Sequence, residues 1–231
     1  AFVVLLAMTT TVSRRAIVAE DTSSATFVAD EVAETATETD KDSAKEGHSI
    51  HGEVFNEGPR QAAYLIDGCG KVKFSVTTSN EQARKFIEQG VGQLHGFWYF
   101  ESERSFRQAA LLDSDCATAY WGMAMSNRSN EKRAKGFIAE ALKRKEKVEK
   151  REQMLIEALD RFLNAGSEDD KEKEERADKY VADLEDIIIA YPDDIETKAF
   201  LCEYLWSGKR HGLHMASNLS IDALIQQVLD V

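Results

Sequence analysis

The chain has little proline, little cysteine and no apolar run long enough to cross a membrane. Its three cysteines, Cys69, Cys116 and Cys202, are widely spaced, so at most one disulfide can form and one thiol stays free. The apolar run at residues 2–8 is much shorter than the ~20 residues that a membrane-spanning helix needs. With two prolines and 43% hydrophobic residues in 231, the chain can bury a core, and we expect one elongated domain behind a flexible leader.

The common catalytic and nucleotide-binding motifs are also missing from the sequence. The chain has no glycine-rich phosphate loop after a strand, and the patterns GxSxG, HExxH and CxxC do not occur. These patterns are typical of nucleotide-binding proteins, serine hydrolases, zinc proteases and thiol oxidoreductases. We therefore expect a non-enzymatic protein without a cofactor.

The net charge is strongly acidic, −12 in total, and it is unevenly distributed. Residues 20–47 hold nine Asp and Glu against two Lys, a net charge of −7, and this composition predicts a disordered linker. When this −7 and the +2 of Arg14 and Arg15 are set aside, residues 48–231 still carry −7. Nucleic-acid binding depends on clustered Lys and Arg, so we expect no nucleic-acid partner. The basic stretch at residues 132–151 is interleaved with glutamates, which is typical of a solvated helix face.

The amino end has features of a secretory signal. Residues 2–8 resemble its apolar core, and the small residues Ala16 and Ala19 offer a processing site. We interpret residues 1–19 as the remnant of a signal peptide; the alternative is an amino end without a targeting function. The signal predicts an exported protein, periplasmic or extracytoplasmic, and the acidic linker then fits a tether to the cell envelope.

The pattern changes at residues 48–79. Lys71 to Thr77 alternate between polar and apolar side chains, as in a half-buried strand, and a Gly-Cys-Gly turn precedes them. We expect a small β-containing or extended cap on the first helical hairpin, because a terminal repeat would otherwise expose its apolar face.

Residues 80–231 have a helical pattern. Apolar side chains recur at the 3.6-residue period in four stripes, which predict four of the helices. Asp193 and Asp194 are expected to open a further helix, and Ser220 to cap a final helix from Ile221. That helix has no stop signal before Val231, so we expect the chain to continue beyond it. The stripes are Ala83, Phe86, Ile87, Gly90, Val91 and Leu94; Ala134, Phe137, Ile138, Ala141 and Leu142; Met154, Leu155, Ala158, Leu159 and Phe162; and Ala177, Tyr180, Val181, Leu184, Ile187, Ile188 and Tyr191.

A repeat of 34 residues links two of these helices. Counting back by 34 from Ala124 gives Gly90, and from Tyr120 gives Phe86, so a small residue and an aromatic residue recur at the period of a tetratricopeptide (TPR) repeat. The chain resembles the TPR family here, with small residues at Gly90, Ser102 and Ala109 and bulky ones at Phe86, Tyr99 and Phe106. The stretches HGEVFNEGPRQAAY, QLHGFWYFESERSF and DCATAYWGMA also resemble exported bacterial TPR proteins without an established biochemical role.

The repeats are irregular further along the chain. Ser114 and Pro192 occupy corresponding turn positions but lie 78 residues apart, which is two periods and about ten residues more. The fold expected is therefore mainly α, a degenerate TPR-like array of helical hairpins with the small cap in front.

The resemblance also implies a binding surface, since the first helix of each TPR hairpin lines the concave side of the array. Ile87 and Val91 stand where carboxylate-binding TPR domains carry polar side chains, so we expect an apolar groove that binds an amphipathic helix or an extended apolar peptide of a partner protein. The cap or further repeats are equally acceptable occupants. The positions implied are Arg84, Ile87, Val91, Leu94, His95, Trp121, Met125 and Arg128.

An alternative function uses histidine. His48 and His51 are three residues apart and, with Cys69, supply donors that zinc or copper accept. This pattern favours a metal-binding or redox accessory protein only if a further ligand is present, so the protein-binding scaffold is the preferred interpretation.

Overall fold

A computed structural model describes residues 62–165, 170–208, 213 and 217–229. These residues form eight α-helices and no β-strand, which confirms the mainly helical fold expected from the sequence. No helix in this part of the chain is both long enough and apolar enough to cross a membrane. The helices are α1 (Glu81–His95), α2 (Tyr99–Leu112), α3 (Ala117–Ser126), α4 (Glu131–Leu142), α5 (Lys150–Asn164), α6 (Asp170–Ala190), α7 (Ile195–Trp206) and α8 (Asn218–Leu229), with a short 3₁₀ turn at Lys145–Lys147.

The helices pack as an array of hairpins. Each helix packs against the next along the chain, from α1 with α2 to α7 with α8. In addition, α1 packs against α3, and α3 against α5. Side chains of α7 reach the same side, where Phe200 meets Trp121 of α3 and Glu196 meets His95 of α1. The surface formed by α1, α3, α5 and α7 is called the inner face below. Every residue of α3 is buried, because this helix packs against α1, α2, α4 and α5.

The apolar stripes identified in the sequence form the core. All six predicted residues of α1 are buried, and each remaining stripe is buried or half-buried against the same apolar cluster. The half-buried members are Leu142, Met154, Phe162, Val181, Ile188 and Tyr191.

Of the two helix starts predicted here, one is confirmed and one is wrong. Asp194 accepts a hydrogen bond from the amide of Thr197, which confirms that α7 opens there. At the start of α1, which had no predicted cap, Asn80 accepts hydrogen bonds from the first turn. The prediction that Ser220 caps the last helix is wrong, because α8 already begins at Asn218. The carbonyl of Ser217 accepts from the amides of the third and fourth residues after it, which places Ser220 inside the first turn.

Two glycines allow the first three helices to approach closely. A Cβ atom on Gly90 would lie 2.9 Å from the ring of Phe106, and one on Gly122 would lie 2.3 Å from the same ring. Phe106 in α2 therefore packs into the space that α1 and α3 leave by lacking side chains there. The recurrence of small residues opposite a bulky one has a direct packing reason.

A buried ionic cluster lies between α2, α3 and α4. Glu103 is 1% exposed and accepts from Arg133 at 2.6 Å and from Arg107 at 2.7 Å. Asn127 links α2 to α4, because its side chain donates to Glu103 at 2.9 Å and accepts from Arg133 at 2.8 Å. Both guanidinium groups also lie over the ring of Phe137. We call these five residues the ionic cluster; each of the hydrogen bonds just given joins two side chains of the helical array.

The segment in front of α1 is extended, but it does not pair as a strand. Residues 62–80 are called the leading segment below. Its side chains alternate as predicted, with Phe74 and Val76 buried and Lys73 and Ser75 exposed. Residues 62–80 contain no strand, so the part of the cap that the structure describes is extended. The signal remnant, the acidic linker and the front of the cap, residues 1–61, lie outside the described residues.

Candidate functional site

The leading segment lies across the inner face and contacts all four of its helices. This arrangement resembles a peptide in a binding groove, except that the peptide belongs to the same chain. Its side chains and its backbone make different kinds of contact, and each kind is described in turn.

Phe74 is the anchor of the leading segment. Its ring, 2% exposed, stacks on Trp121 of α3 at 5.6 Å between centroids. The guanidinium carbon of Arg151 lies 4.3 Å from the centroid of the Phe74 ring, within the range of a cation–π contact. Trp121 in turn meets the edge of Phe200, which stacks on His95. The four rings join the segment to α1, α3 and α7.

Side chains of α5 hydrogen-bond the backbone beside this anchor. Arg151 donates to the carbonyl of Ser75 at 3.2 Å. Glu152 accepts from the amide of Thr77 at 3.0 Å and also from the Thr77 hydroxyl. The inner face therefore contacts a carbonyl and an amide two residues apart, as in an extended peptide.

Side chains of α7 and α1 also hydrogen-bond the backbone of the leading segment. On α7, Glu196 accepts from the amide of Lys73 at 3.3 Å. On α1, Arg84 donates to the carbonyls of Val76 and Thr78, at 3.4 and 3.1 Å. Five backbone atoms between residues 73 and 78 are thus bound by side chains of three helices.

Two further contacts fix the front of the leading segment. Gln89 accepts from the amide of Ile66 at 2.7 Å and donates to the carbonyl of Tyr64 at 3.0 Å. The carbonyl of Cys69 lies directly on α1, where a Cβ atom on Gly92 would be 2.1 Å from it. Only glycine at this position allows the backbone so close to the helix. The Gly-Cys-Gly turn predicted here is present, with φ of +91° at the glycines on both sides of Cys69.

Three of the four charged side chains that hold the segment also pair with a side chain on another helix, or at the cap of another helix, of the array. These second partners orient the side chains without any help from the segment. The pairs are Arg151 with Asp194 (2.5 and 2.9 Å), Glu152 with Thr118 (2.5 Å) and Glu196 with His95 (2.7 Å).

The residues predicted to bind a partner occupy three kinds of position. Arg84 and Trp121 contact the leading segment directly. His95 and Arg128 pair with glutamates of α7. Burial lowers the pKa of the Arg128 guanidinium, but the charge and hydrogen bond of Glu203, together with Tyr180 and Tyr99, raise that pKa above its usual value. The other four belong to the buried apolar core: Ile87, Val91, Leu94 and Met125. Their role toward an external partner stays a prediction.

Sequence reasoning missed most of the polar contacts to the segment. Gln89, Gly92, Arg151, Glu152 and Glu196 were not among the predicted residues. Four of them are polar residues at buried helix positions, 2–8% exposed for Gln89, Arg151, Glu152 and Glu196. A polar residue within an apolar helix face was the available signal, but it does not reveal whether the partner is a side chain or a backbone atom.

The metal alternative rests on residues that are mostly outside this part of the chain. His48 and His51 lie outside the described residues, and the described part contains no group of three or more potential metal ligands. All three cysteines are free thiols. Burial raises the pKa of the Cys69 thiol, and it raises that of Cys116 to about 12 and that of Cys202 to about 11, so none of them is activated as a thiolate.

Comparisons with known proteins found no relative. No family model, no curated protein and no solved structure matches the chain. The resemblance to the TPR family therefore stays a prediction, based on the repeat positions in the sequence.

Proposed function

We propose that this chain is a non-enzymatic scaffold of the TPR type, whose inner face binds an extended peptide of a partner protein. One observation supports this most strongly: the leading segment lies on that face as an extended peptide, and its backbone is hydrogen-bonded by Arg84, Arg151, Glu152 and Glu196. Side chains that bind main-chain donors and acceptors suit a peptide ligand.

The charges of this face also fit a peptide better than a polyanion. Arg84 and Arg151 supply donors to three backbone carbonyls of the bound segment, and Glu152 and Glu196 supply acceptors to two of its amides. A phosphate backbone would be repelled by the two carboxylates, and it would require a cluster of one sign. The overall acidic charge of the chain, −12, favours the same choice.

The proposed setting is the cell envelope or another extracytoplasmic site. This part of the proposal rests on the signal-like residues 1–19 and on the acidic stretch at residues 20–47. A partner peptide would then come from another exported or envelope protein.

The test is a selection of peptides from a random display library, on the full chain and on its Phe74→Ala variant. Peptides bound at the inner face should lose affinity when Arg84→Met removes two backbone contacts. Arg104→Met is the matched control, because Arg104 has a similar exposure and a similar pair with a glutamate three residues before it. If no peptide is selected, or if Arg84→Met and Arg104→Met have equal effects, the proposed function is wrong.

A further inference from the structure

We propose that residues 72–77 are a resident pseudo-ligand, and that the partner of the inner face is an extended peptide with the same pattern. That pattern is a central aromatic residue with β-branched residues two positions before and after it. The partner binds by taking the place of the resident segment. This inference rests on the proposed function and names its ligand class and its regulation.

The first argument is that the inner face binds the backbone of the segment. Ser75 and Val76 are contacted through their carbonyls, and Lys73 and Thr77 through their amides. Any extended peptide presents the same donors and acceptors at the same spacing. These contacts therefore fix the conformation of the ligand without specifying its side chains.

The second argument is that the binding side chains are already positioned. Arg151 donates two hydrogen bonds to Asp194, which itself caps α7, and Glu152 accepts one from the hydroxyl of Thr118 in α3. These pairs join helix to helix and do not involve the leading segment. When the segment leaves, each of these charged groups keeps a partner. No buried charge is then left unpaired, so the inner face can stay folded.

The third argument concerns specificity. Phe74 inserts between Trp121 and Arg151, a site that combines an aromatic stack with a cation–π contact. Val76 is buried and Val72 is half-buried on the same side, whereas Lys73 points to solvent. The site therefore selects an aromatic residue strongly and β-branched residues at the flanking positions, and it tolerates polar residues between them.

The fourth argument is that one side of the bound segment is open. A cavity of about 510 Å³ lies beside residues 75–79 and is also lined by Arg84, Arg151 and Glu152. An incoming peptide can reach the backbone-binding side chains through this cavity before the resident segment has fully left.

The tether makes the resident segment a strong competitor. A segment attached by a few residues acts at an effective concentration in the millimolar range, so a free peptide of micromolar intrinsic affinity binds about 1,000-fold more weakly than it would to an empty face. Weakening the resident anchor should therefore expose the site to peptides added in solution.

The experiment measures fluorescence anisotropy of a labelled peptide of residues 70–79 with the full chain. We expect Phe74→Ala to bind this peptide at least about tenfold more tightly than the unaltered chain does. A peptide with alanine in place of its phenylalanine should not bind. Circular dichroism and a melting curve show whether each variant is folded.

A second variant releases the segment without altering a side chain of the site. Gly92→Ala places a methyl group against the carbonyl of Cys69, so it should displace the resident segment and admit a peptide of residues 71–79, which lacks that carbonyl. Gly96→Ala is the matched control, because its Cβ atom would meet only atoms at 3.5 Å or beyond.

Several outcomes would overturn the inference. If both Phe74→Ala and Gly92→Ala unfold, the segment is a permanent part of the core. If both are folded and neither binds the peptide, the segment is not a model of the ligand. Dimers formed by exchange of the segment would make a second copy the partner. In the second and third cases, library peptides of another pattern that depend on Arg84 would leave the proposed function intact.

Discussion

The ionic cluster and the inner face both bury charged side chains, but the partners of those charges differ. In the ionic cluster, Glu103 bonds Arg107, Arg133 and Asn127, all side chains of the helical array. On the inner face, Glu196 bonds one side chain of the array and one backbone amide of the leading segment. Buried charge of the first kind holds helices together. Buried charge of the second kind is available to any peptide that offers the same backbone.

The largest effect should come from removing the centre of the ionic cluster. Glu103→Ala leaves the buried guanidinium groups of Arg107 and Arg133 without their carboxylate, and breaking a buried ion pair costs ~3–5 kcal/mol. Glu196→Ala on the inner face should cost less, about 1–3 kcal/mol. It leaves only His95 and one backbone amide without their acceptor, and water can replace that acceptor. Urea unfolding followed by circular dichroism measures both. Equal losses would remove the distinction between the two regions.

A smaller effect should come from filling the space between the first helices. Gly122→Ala places a methyl group 2.3 Å from the ring of Phe106. Overpacking a core of this kind costs ~1–3 kcal/mol. Gly92→Ala should cost less than Gly122→Ala, since the leading segment can move away whereas Phe106 cannot. The midpoints of thermal unfolding rank the variants, and the reverse order would show that the segment is fixed.

The next comparison is between two arginine variants whose losses in the free energy of unfolding are each about 1 kcal/mol or less. Arg84→Met removes two hydrogen bonds to the leading segment and should lower the free energy of unfolding by ~0.5–1.5 kcal/mol. Arg104→Met removes only a surface pair with Glu101, and such pairs are worth about 0–1 kcal/mol. A loss for Arg104→Met as large as that for Arg84→Met would show that the backbone contacts of Arg84 contribute nothing.

The mildest test requires no substitution, because it compares the alkylation rates of two native cysteine thiols. Cys69 lies on the leading segment and is half-buried, whereas Cys116 is 1% exposed, and burial raises the pKa of its thiol to about 12. At pH 8 an alkylating reagent should therefore modify Cys69 first and Cys116 only on global unfolding, with a rate difference of at least about tenfold. Peptide mapping by mass spectrometry identifies the modified residue. Simultaneous modification would mean that the segment opens only when the array unfolds.

The helical array could be predicted from the sequence because its determinants are local. The stripe from Ala83 to Leu94 specifies both a helix and its buried face, and Asp194 marks the start of α7 through its own side chain. Ser220 failed as a cap because Ser217 and Asn218 are polar as well, and nothing local decides which of several polar residues begins a helix.

The site could be predicted only in part. Trp121 was found because the repeat period points to it, and the alternation around Phe74 correctly predicted one buried side of the cap. The contacts of Arg151 and Glu196 join residues 76 and 123 positions apart along the chain, to Ser75 and to Lys73. Such pairs depend on how the hairpins stack, which no short-range pattern contains.

Backbone hydrogen exchange of the native chain tests most directly whether the leading segment is a replaceable ligand. The amides of Lys73 and Thr77 are bonded to the inner face, and those of α3 are bonded within the most buried helix. We expect residues 71–78 to exchange at least about tenfold faster than α3, through opening of the segment alone. Exchange of both regions at one common rate would contradict this, because it would mean that the segment leaves the inner face only when the whole array unfolds.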